Sequence, residues 1–329
     1  MNCHQRKYLF SSVLASTAFG ALLLCAPSPG LAVPLLGSDL ASFAVLGSST
    51  VTNVPTSTVV GNVGVWSSGG ANAITGFLSS PGVAVSDPQV TGGLVHAGTA
   101  VAQLAQGQLT TVITNLGLLG TGTLLGVNLA GLTLTPGVYT VPAGVSNLTG
   151  TLTLNGLGNA NAAWVFQMPS TLITSPGSVV NVINTGSGAG VFWNVGSSAT
   201  LDTTTSFQGN ILALASITLN NSATIGCGRA LANTGAVTMD TNTIGSGCGA
   251  GTGGVGSNGF SGGLAGPAGG GVGTPTFLPF ASVGGGGETG TAPEPSSLLL
   301  LGTGLVAFVF AVRRRKPSVA RHAADELPV

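Results

Sequence analysis

The stretch from Ser216 to Cys248 reads SITLNNSATIGCGRALANTGAVTMDTNTIGSGC, and it repeats itself after about 19–20 residues. Within each copy, single apolar residues alternate with Thr, Ser or Asn, which is the period of a β-strand with one buried side. A repeat of this length is typical of a solenoid, in which each turn of the chain stacks on the turn before it. The stretch therefore predicts a β-solenoid.

Earlier segments align with this repeat and give three short strands per coil. The first strand set contains WVFQM, VFWNV, NILAL and RALAN, which begin at Trp164, Val191, Asn210 and Arg229. The second set contains STLIT, SATLD, SITLN and AVTMD, and the third contains SVVNV, TTSFQ, SATIG and TNTIG. Three strands per coil predict a mainly β fold, a triangular β-helix. In the second set the alternation points one group inward, Leu172, Leu201, Leu219 and Met239, and stacks another outward, Thr171, Thr200, Thr218 and Thr238.

The first strand set is apolar on both sides, so it needs a cover. From Ala97 to Leu118 the sequence reads AGTAVAQLAQGQLTTVITNLGL, with apolar residues at helical spacing. We therefore expect one long α-helix along this face. Its inward residues would be Val101, Leu104, Ala105, Val112, Ile113 and Leu116, and its outward residues Gln103, Gln106, Gln108, Thr110 and Thr114.

The third strand set carries pairs of hydroxyl residues two positions apart. These pairs are Thr204 with Ser206, Ser222 with Thr224, and Thr241 with Thr243. Stacked coils would place them in a flat grid, which is rigid because Thr is stiff at χ1. Such a grid suits the ordered binding of water in a crystal plane of ice. High β-propensity of Thr explains the same pattern without any ligand.

Charge is almost absent between residues 33 and 248, which limits the possible functions. The charged residues there are Asp39, Asp87, Asp202, Arg229 and Asp240, and His96 is the single histidine. No basic patch is available to neutralise phosphates, so the sequence predicts no nucleic-acid partner. The scattered acids and the lone histidine, which we expect at the surface or at a helix start, predict no enzyme, no metal site and no cofactor.

Both ends of the chain have the composition of export signals. Residues 1–32 have a basic start, an apolar core and small residues at a cleavage site, so we expect a secretory signal peptide. Residues 33–248 would form the solenoid domain. Residues 249–292 are rich in Gly, which predicts a flexible linker.

The last part of the chain has three pieces. Pro293, Glu294 and Pro295 precede an apolar run, and the run ends in the basic cluster RRRK. Residues 293–316 resemble the PEP-CTERM sorting signal of Gram-negative bacteria that make extracellular polysaccharide. The resemblance implies recognition by a membrane-bound exosortase, a transmembrane helix before processing, and a cytoplasmic tail at 317–329. The protein would be exported, transiently anchored in the inner membrane, and then displayed at the surface or released.

Two cysteines remain once the signal peptide is set aside, Cys227 and Cys248. An even pair in an exported protein predicts a disulfide. Closing the 21-residue loop contributes on the order of 3 kcal/mol in the chain-entropy model.

Several motifs resemble the microbial ice-binding protein family. They include LASFAVLGSSTVTN, VVGNVGV, LTPGVYTV, GTLTLNG and the run from GVFWNVGSSATLD to TNTI, and together they cover residues 36–244. The resemblance implies a right-handed, discontinuous β-solenoid with a flanking helix and one flat ice-binding face. The first candidates for that face are Thr204, Ser206, Ser222, Thr224, Thr241 and Thr243, and the second candidates are Thr171, Thr200, Thr218 and Thr238.

Two functions stay open at this point. The first is an exported ice-binding, antifreeze-like protein that adsorbs to ice through a flat Thr- and Ser-rich face. The second is a structural or adhesive protein of the extracellular polysaccharide matrix on the same scaffold. An aromatic groove built from Trp66, Trp164 or Trp193 would favour polysaccharide as a partner, whereas a flat and regular Thr face would favour ice.

Overall fold

The computed structural model describes residues 33–70, 72–248 and 255–283, and short strands dominate it. The strands are β1 (Val33–Pro34), β2 (Phe43–Gly47), β3 (Thr50–Val54), β4 (Thr58–Val60), β5 (Asn62–Val65), β6 (Ala73–Thr75), β7 (Ala84–Val85), β8 (Val90–Thr91), β9 (Val95–Ala97), β10 (Thr123–Leu124), β11 (Thr133–Leu134), β12 (Gly137–Thr140), β13 (Thr151–Asn159), β14 (Ala163–Met168), β15 (Leu172–Ile173), β16 (Val179–Thr185), β17 (Gly190–Val195), β18 (Ala199–Leu201), β19 (Ser206–Ala213), β20 (Ile217–Leu219), β21 (Thr224–Ala232), β22 (Val237–Asp240), β23 (Thr243–Gly245), β24 (Leu264–Gly266) and β25 (Thr276–Phe277). The helices are α1 (Ser38–Ala41), α2 (Ala100–Gly117) and a 3-10 turn at Ala268–Gly270.

The strands stack in three parallel sets, as the repeat predicts. The second set runs in the order β15, β18, β20, β22, β3 and β6. The first set contains β10, β12, β14, β17, β2, β5 and β9, and the third contains β11, β13, β16, β23, β4 and β8. Strands β19 and β21 are long enough to pass from the third set into the first. The mainly β fold with one long helix is confirmed, while the handedness and the triangular cross-section stay predictions.

The stacking is discontinuous in sequence. β22 is followed in the second set by β3, with Val237 opposite Val51, and β21 is followed in the first set by β2. The N-terminal strands therefore add coils beyond the last C-terminal coil. The chain between β9 and β10 is mostly α2, and these two strands lie near opposite ends of the first set.

Two apolar clusters lie on the two sides of the first strand set. Trp164, Phe166 and Trp193 point into the solenoid, where the rings of Phe166 and Trp193 stack 4.0 Å apart. Phe192 and Leu212 point outward to pack beneath α2. This arrangement explains why the first set is apolar on both sides, and it confirms the predicted helical cover.

The buried face of α2 agrees with the predicted one only in part. Leu104 is 57% exposed and Val101 is 37% exposed, whereas Leu109 is fully buried. Gln106, expected to face water, is buried and donates to the carbonyl oxygens of Ala232 and Asn233. The side of α2 that faces the solenoid carries two polar side chains, Gln106 and Asn115. Its small and apolar side chains are Ala102, Ala105, Leu109, Val112 and Leu116. The prediction is therefore correct for Ala105, Val112 and Leu116, and wrong for Leu104 and Val101.

His96 precedes α2 and is buried rather than at the surface. Its Nδ1 atom lies 3.0 Å from the hydroxyl of Thr99, and that hydroxyl caps the helix by accepting from the backbone N–H of Ala102. The ring packs edge-on against Phe43. Burial lowers the pKa of His96 below its ordinary value of 6.5.

We expect the free energy of unfolding to fall as the pH drops below 6.5. The unfolded chain then binds a proton at His96 that the folded chain resists, so protonation favours unfolding. Urea denaturation at pH 7 and pH 5 measures the effect, and His96→Gln should remove most of it. An unchanged slope in His96→Gln would show that another group causes the pH dependence.

Residues 255–283, which we call the C-terminal strap, pack against the domain instead of forming a flexible linker. Phe260 is fully buried in the solenoid core, and β24 pairs antiparallel with both β1 and β25. Asn115 of α2 donates to Gly271 and accepts from the N–H of Gly273. The Gly-rich average hides two isolated apolar residues, Phe260 and Leu264, that are buried against the domain. The remaining linker residues, 249–254 and 284–292, lie outside the described part of the chain.

Arg229 joins three separate parts of the chain. Its guanidinium donates to the carbonyl oxygen of Ala41, to Oδ1 of Asn210, and to oxygen atoms of Asn258 and Gly259. The side chain is fully buried, and burial lowers its pKa to about 10. The guanidinium therefore stays charged at neutral pH, and six hydrogen bonds compensate its desolvation.

The structure joins Cys227 and Cys248 in a disulfide, with their Cα atoms 4.8 Å apart. Cys227 lies in β21, and the backbone N–H of Cys248 donates to the carbonyl of Ser257. The crosslink thus fixes the point from which the C-terminal strap leaves the last coil.

Candidate ice-binding face

The outward side of the second strand set, which we call the second face, carries an unbroken column of threonines. Neighbouring strands pair Thr200 with Thr218, Thr218 with Thr238, Thr238 with Thr52, and Thr52 with Thr75. Parallel strands repeat every ~4.7–4.9 Å, so the five side chains form a regular row. The residues on either side of each threonine are buried, apart from Gly76 after Thr75, and this keeps the row on the surface.

The hydroxyl groups of this column remain available. Within the part of the chain that the structure describes, the side-chain oxygens of these five threonines make no hydrogen bond to protein. Thr238 and Thr75 are exposed, and the other three are partly exposed. The column therefore offers a row of free hydroxyl and methyl groups held at fixed spacing by strand pairing.

Small and neutral residues flank the column on one side. In each coil, the residue two positions before the column is also on the outer side of the strand, and none of these residues is larger than Thr. They are Thr171, Ser198, Ser216, Ala236, Thr50 and Ala73. This second row keeps the surface level, since no long side chain rises beside the threonines.

The other side of the column contains two acids whose oxygens are engaged locally. Asp202 accepts from the side chain of Asn220 and from the backbone N–H of Thr203, which lowers its pKa. Asp240 accepts from the side chains of Asn221 and Thr241. Asn220 and Asn221 belong to the neighbouring coil, so these bonds tie each carboxylate to its own turn and to the neighbouring coil, and they reduce its demand for water.

Thr171 does not belong to the threonine column, contrary to the prediction. Leu172 pairs with Ala199 and Ile173 pairs with Thr200, so Ile173 holds the column position in that coil. Thr171 lies in the flanking row instead. The segment STLIT aligns equally well in two registers two residues apart, and the alternation of apolar and polar residues cannot distinguish them.

The third strand set also presents one column on its outward side, the third face. Ser206 pairs with Thr224, Thr224 with Thr243, and Thr243 with Thr58. Three of these residues are exposed, and Thr224 is partly exposed. The structure therefore brings together three of the predicted residues of this face and adds Thr58.

The remaining predicted residues of the third face lie at a corner and not on a strand. Thr204, Ser222 and Thr241 have φ angles of 55°, 60° and 55°, in the left-handed region. Their hydroxyls donate to Thr203, Asn221 and Asp240 within the same turns. The predicted flat grid of two columns is thus one strand column beside a row of turns, because each coil must bend between its second and third strands.

Three threonines of these columns escaped the sequence analysis, namely Thr52, Thr75 and Thr58. The signal was present in the segments STVTN, TSTVV and AITGF, in which polar and apolar residues alternate as in the later coils. These threonines lie far in sequence from the repeated coils, although the stacking brings them together in space. The 19–20-residue period therefore does not extend to them.

Residues 45–245 match the family model described as "Ice-binding-like". The chain belongs to the ice-binding-like family. An ice-binding protein of Nostoc sp. (strain HG1) is 39% identical over 94% of this chain and 96% of its own length. An ice-binding protein of Flammulina populicola is 34% identical over 73% of this chain and 99% of its own length.

Solved structures of ice-binding proteins share the fold. One from an Antarctic biological consortium is 35% identical with a TM-score of 0.56, covering 65% of this chain and 91% of that chain. One from Antarctomyces psychrotrophicus is 32% identical with a TM-score of 0.56, covering 65% of this chain and 97% of that chain. These matches confirm the predicted membership of the ice-binding-like family and its solenoid scaffold.

Residues 291–316 match the PEP-CTERM protein-sorting motif, which confirms the predicted sorting signal. Pro293, Glu294 and Pro295 fall inside it, and they lie outside the described residues together with the predicted signal peptide and the predicted transmembrane helix. In the described ranges, no helix has the length and apolar character needed to cross a membrane.

The three tryptophans do not form an aromatic groove. Trp164 and Trp193 are fully buried, and their indole N–H groups donate to the carbonyls of Leu134 and Gln208. Trp66 packs partly buried against the apolar cluster beneath α2. Two of the three candidate residues for polysaccharide recognition are therefore core residues.

Proposed function

We propose that this ice-binding-like domain adsorbs to ice through its second face. The observation that supports the proposal is the unbroken column of five threonines with free hydroxyls. Ice presents a periodic array of water molecules, and a flat periodic surface binds it by holding water in a matching array. Methyl groups order the water between hydroxyl anchors, and strand pairing makes the anchors rigid before binding, which limits the entropic cost of adsorption.

The second face suits this task better than the third face on two grounds. Its threonines all lie on strands, whereas Thr204, Ser222 and Thr241 lie in turns with their hydroxyls bonded to their own coil. Its column also extends through five coils without interruption. The strand column Ser206, Thr224, Thr243 and Thr58 is regular as well, so we propose the third face as a second, weaker candidate.

Adsorption of this kind requires no chemistry, and we propose that the protein is not an enzyme. Within the described ranges, no group of three or more His, Cys, Asp or Glu residues lies together in a metal-binding arrangement. The fully buried Arg229 is held by carbonyl and amide oxygens, so it serves the fold, and among the described residues no Lys or Arg side chain lies on the surface.

The sorting motif supports an exported protein that an exosortase processes. We propose that the chain is held in the inner membrane through residues 296–312 before processing, and is afterwards displayed at the cell surface or released. Extracellular polysaccharide is a further proposed partner of the processed protein. The relatives named above are called ice-binding proteins and give no support to a purely adhesive matrix role.

Recrystallisation of ice in the presence of the purified chain tests the proposed function. We expect the protein to suppress the growth of ice grains and to shape single crystals near 0 °C, while a serum albumin control at the same concentration does neither. If circular dichroism shows that the chain is folded and the chain still leaves grain growth unchanged, the proposal is refuted.

A further inference from the structure

We infer that the fold places both ends of the described domain on the side away from the second face, so that the protein binds ice while its tail is held. The inference rests on the proposed function of the second face. Beyond that function, we infer that one side of the domain binds ice while the opposite side faces the support to which the tail is attached.

The C-terminal strap follows one corner of the solenoid from coil to coil. Asn258 and Gly259 contact Arg229, and the carbonyl of Phe260 accepts from Asn210, at the points where β21 and β19 pass from the third strand set to the first. Ser261 then bridges to Gly190 at the start of β17.

The end of the strap stays on the same corner. Ser282 bridges to Asn159, and the N–H of Val283 donates to the carbonyl of Gly158, where the chain passes from β13 to β14. The side chain of Asn161 donates to the carbonyl of Pro279 in the same turn. The last described residue is therefore fixed to the corner between the third and first strand sets.

That corner is the one that does not border the second face. Each coil passes from the first set to the second, then to the third, and then back to the first. The second set thus meets its neighbours at the other two corners, and the strap touches neither of these through the contacts named above. A tail that leaves at Val283 starts on the side remote from the threonine column.

The N-terminus of the domain begins on the same side. Val33 pairs with Gly266 and Pro34 pairs with Ala265, so β1 is held by the strap itself. Residues 284–292 separate Val283 from the sorting motif and reach at most ~30 Å when fully extended. A tail held at Pro293 therefore keeps the strap side near its support and leaves the second face directed outward.

A bulky protein attached at two alternative positions of the full chain tests the inference. One variant receives a short biotin-acceptor peptide between Val283 and Gly284. The matched variant receives it after Gly69, in the turn between β5 and β6 that leads onto the second face. Both are kept in the same mild detergent, and recrystallisation inhibition is measured before and after streptavidin is added, so that each protein is its own control for folding.

We expect streptavidin at Val283 to change the inhibition by less than about twofold, and streptavidin at Gly69 to weaken it by about tenfold or more, because only the second blocks adsorption. Equal loss at both positions, loss only at Val283, or loss at neither would overturn the inference. If an insertion is inactive before streptavidin is added, the peptide is moved. The position after Gly286 then replaces Val283, and the position after Ser197 replaces Gly69. An unmodified folded chain without activity would refute the proposed function itself, which is a different outcome.

Discussion

A chain that carries both Thr218→Tyr and Thr238→Tyr should lose about nine-tenths or more of its recrystallisation inhibition, since a loss of ~1.4 kcal/mol in adsorption already costs a factor of ten. The two residues are neighbours at the centre of the threonine column. Tyrosine rings there rise above the small residues that flank the column and hold the rest of the face away from a flat crystal. Tyrosine is favourable on exposed strands, so the fold should tolerate both changes.

The matched control carries Thr224→Tyr and Thr243→Tyr, which are neighbours on the third face. We expect it to keep most of the inhibition and to melt within a few degrees of the unmodified chain. The opposite result, with activity lost only in the control, would move the ice-binding site to the third face. Loss in both pairs would indicate that ice contacts the two faces together.

Arg229→Ala should lower the free energy of unfolding by about 3–5 kcal/mol, because each buried acceptor left without a donor costs about 1–3 kcal/mol. The substitution removes six hydrogen bonds and leaves the buried acceptors of Asn210 and Gly259 without this donor. It also opens a cavity beneath the strap. Guanidinium denaturation followed by circular dichroism measures the change.

Two further variants separate charge from geometry. Arg229→Lys keeps the charge but cannot reach Ala41, Asn210 and Asn258 at once, so we expect it to remain clearly destabilised. Phe280→Ala changes a side chain of the same strap that is 68% exposed, and it should cost little. Arg229→Ala with unchanged stability would show that the strap is held without this residue.

Periodicity predicted the solenoid, its three strands per coil and its helical cover because each has a local signal. Alternation along AVTMD and SITLN defines which residues are inward, and strands that are apolar on both sides, such as VFWNV, demand a partner element. The threonines Thr200, Thr218 and Thr238 follow directly from this alternation. Strand pairing places the same three residues in one column.

Sequence patterns could not resolve features that depend on distant contacts or on backbone turns. The shift of Thr171 out of the column depends on the register of β15 and β18, which share only two residue pairs. Thr204, Ser222 and Thr241 lie at corners because their φ angles are left-handed. Residues other than glycine rarely adopt such angles, so the sequence gives no sign of them. The sequence does not predict the packing of the C-terminal strap, because Phe260 and Leu264 stand alone among glycines and form no periodic pattern.

The stacking of β3 onto β22 has a consequence for how the protein is made. Thr52 leaves the ribosome early, yet its partner Thr238 is synthesised only near the end of the domain. The N-terminal strands must therefore wait, unpaired on this edge, until almost the whole domain has been translated. Pairing between such remote segments is slow because a long loop must close first. The full row of threonines is thus complete only after this long-range closure has joined the two ends of the domain.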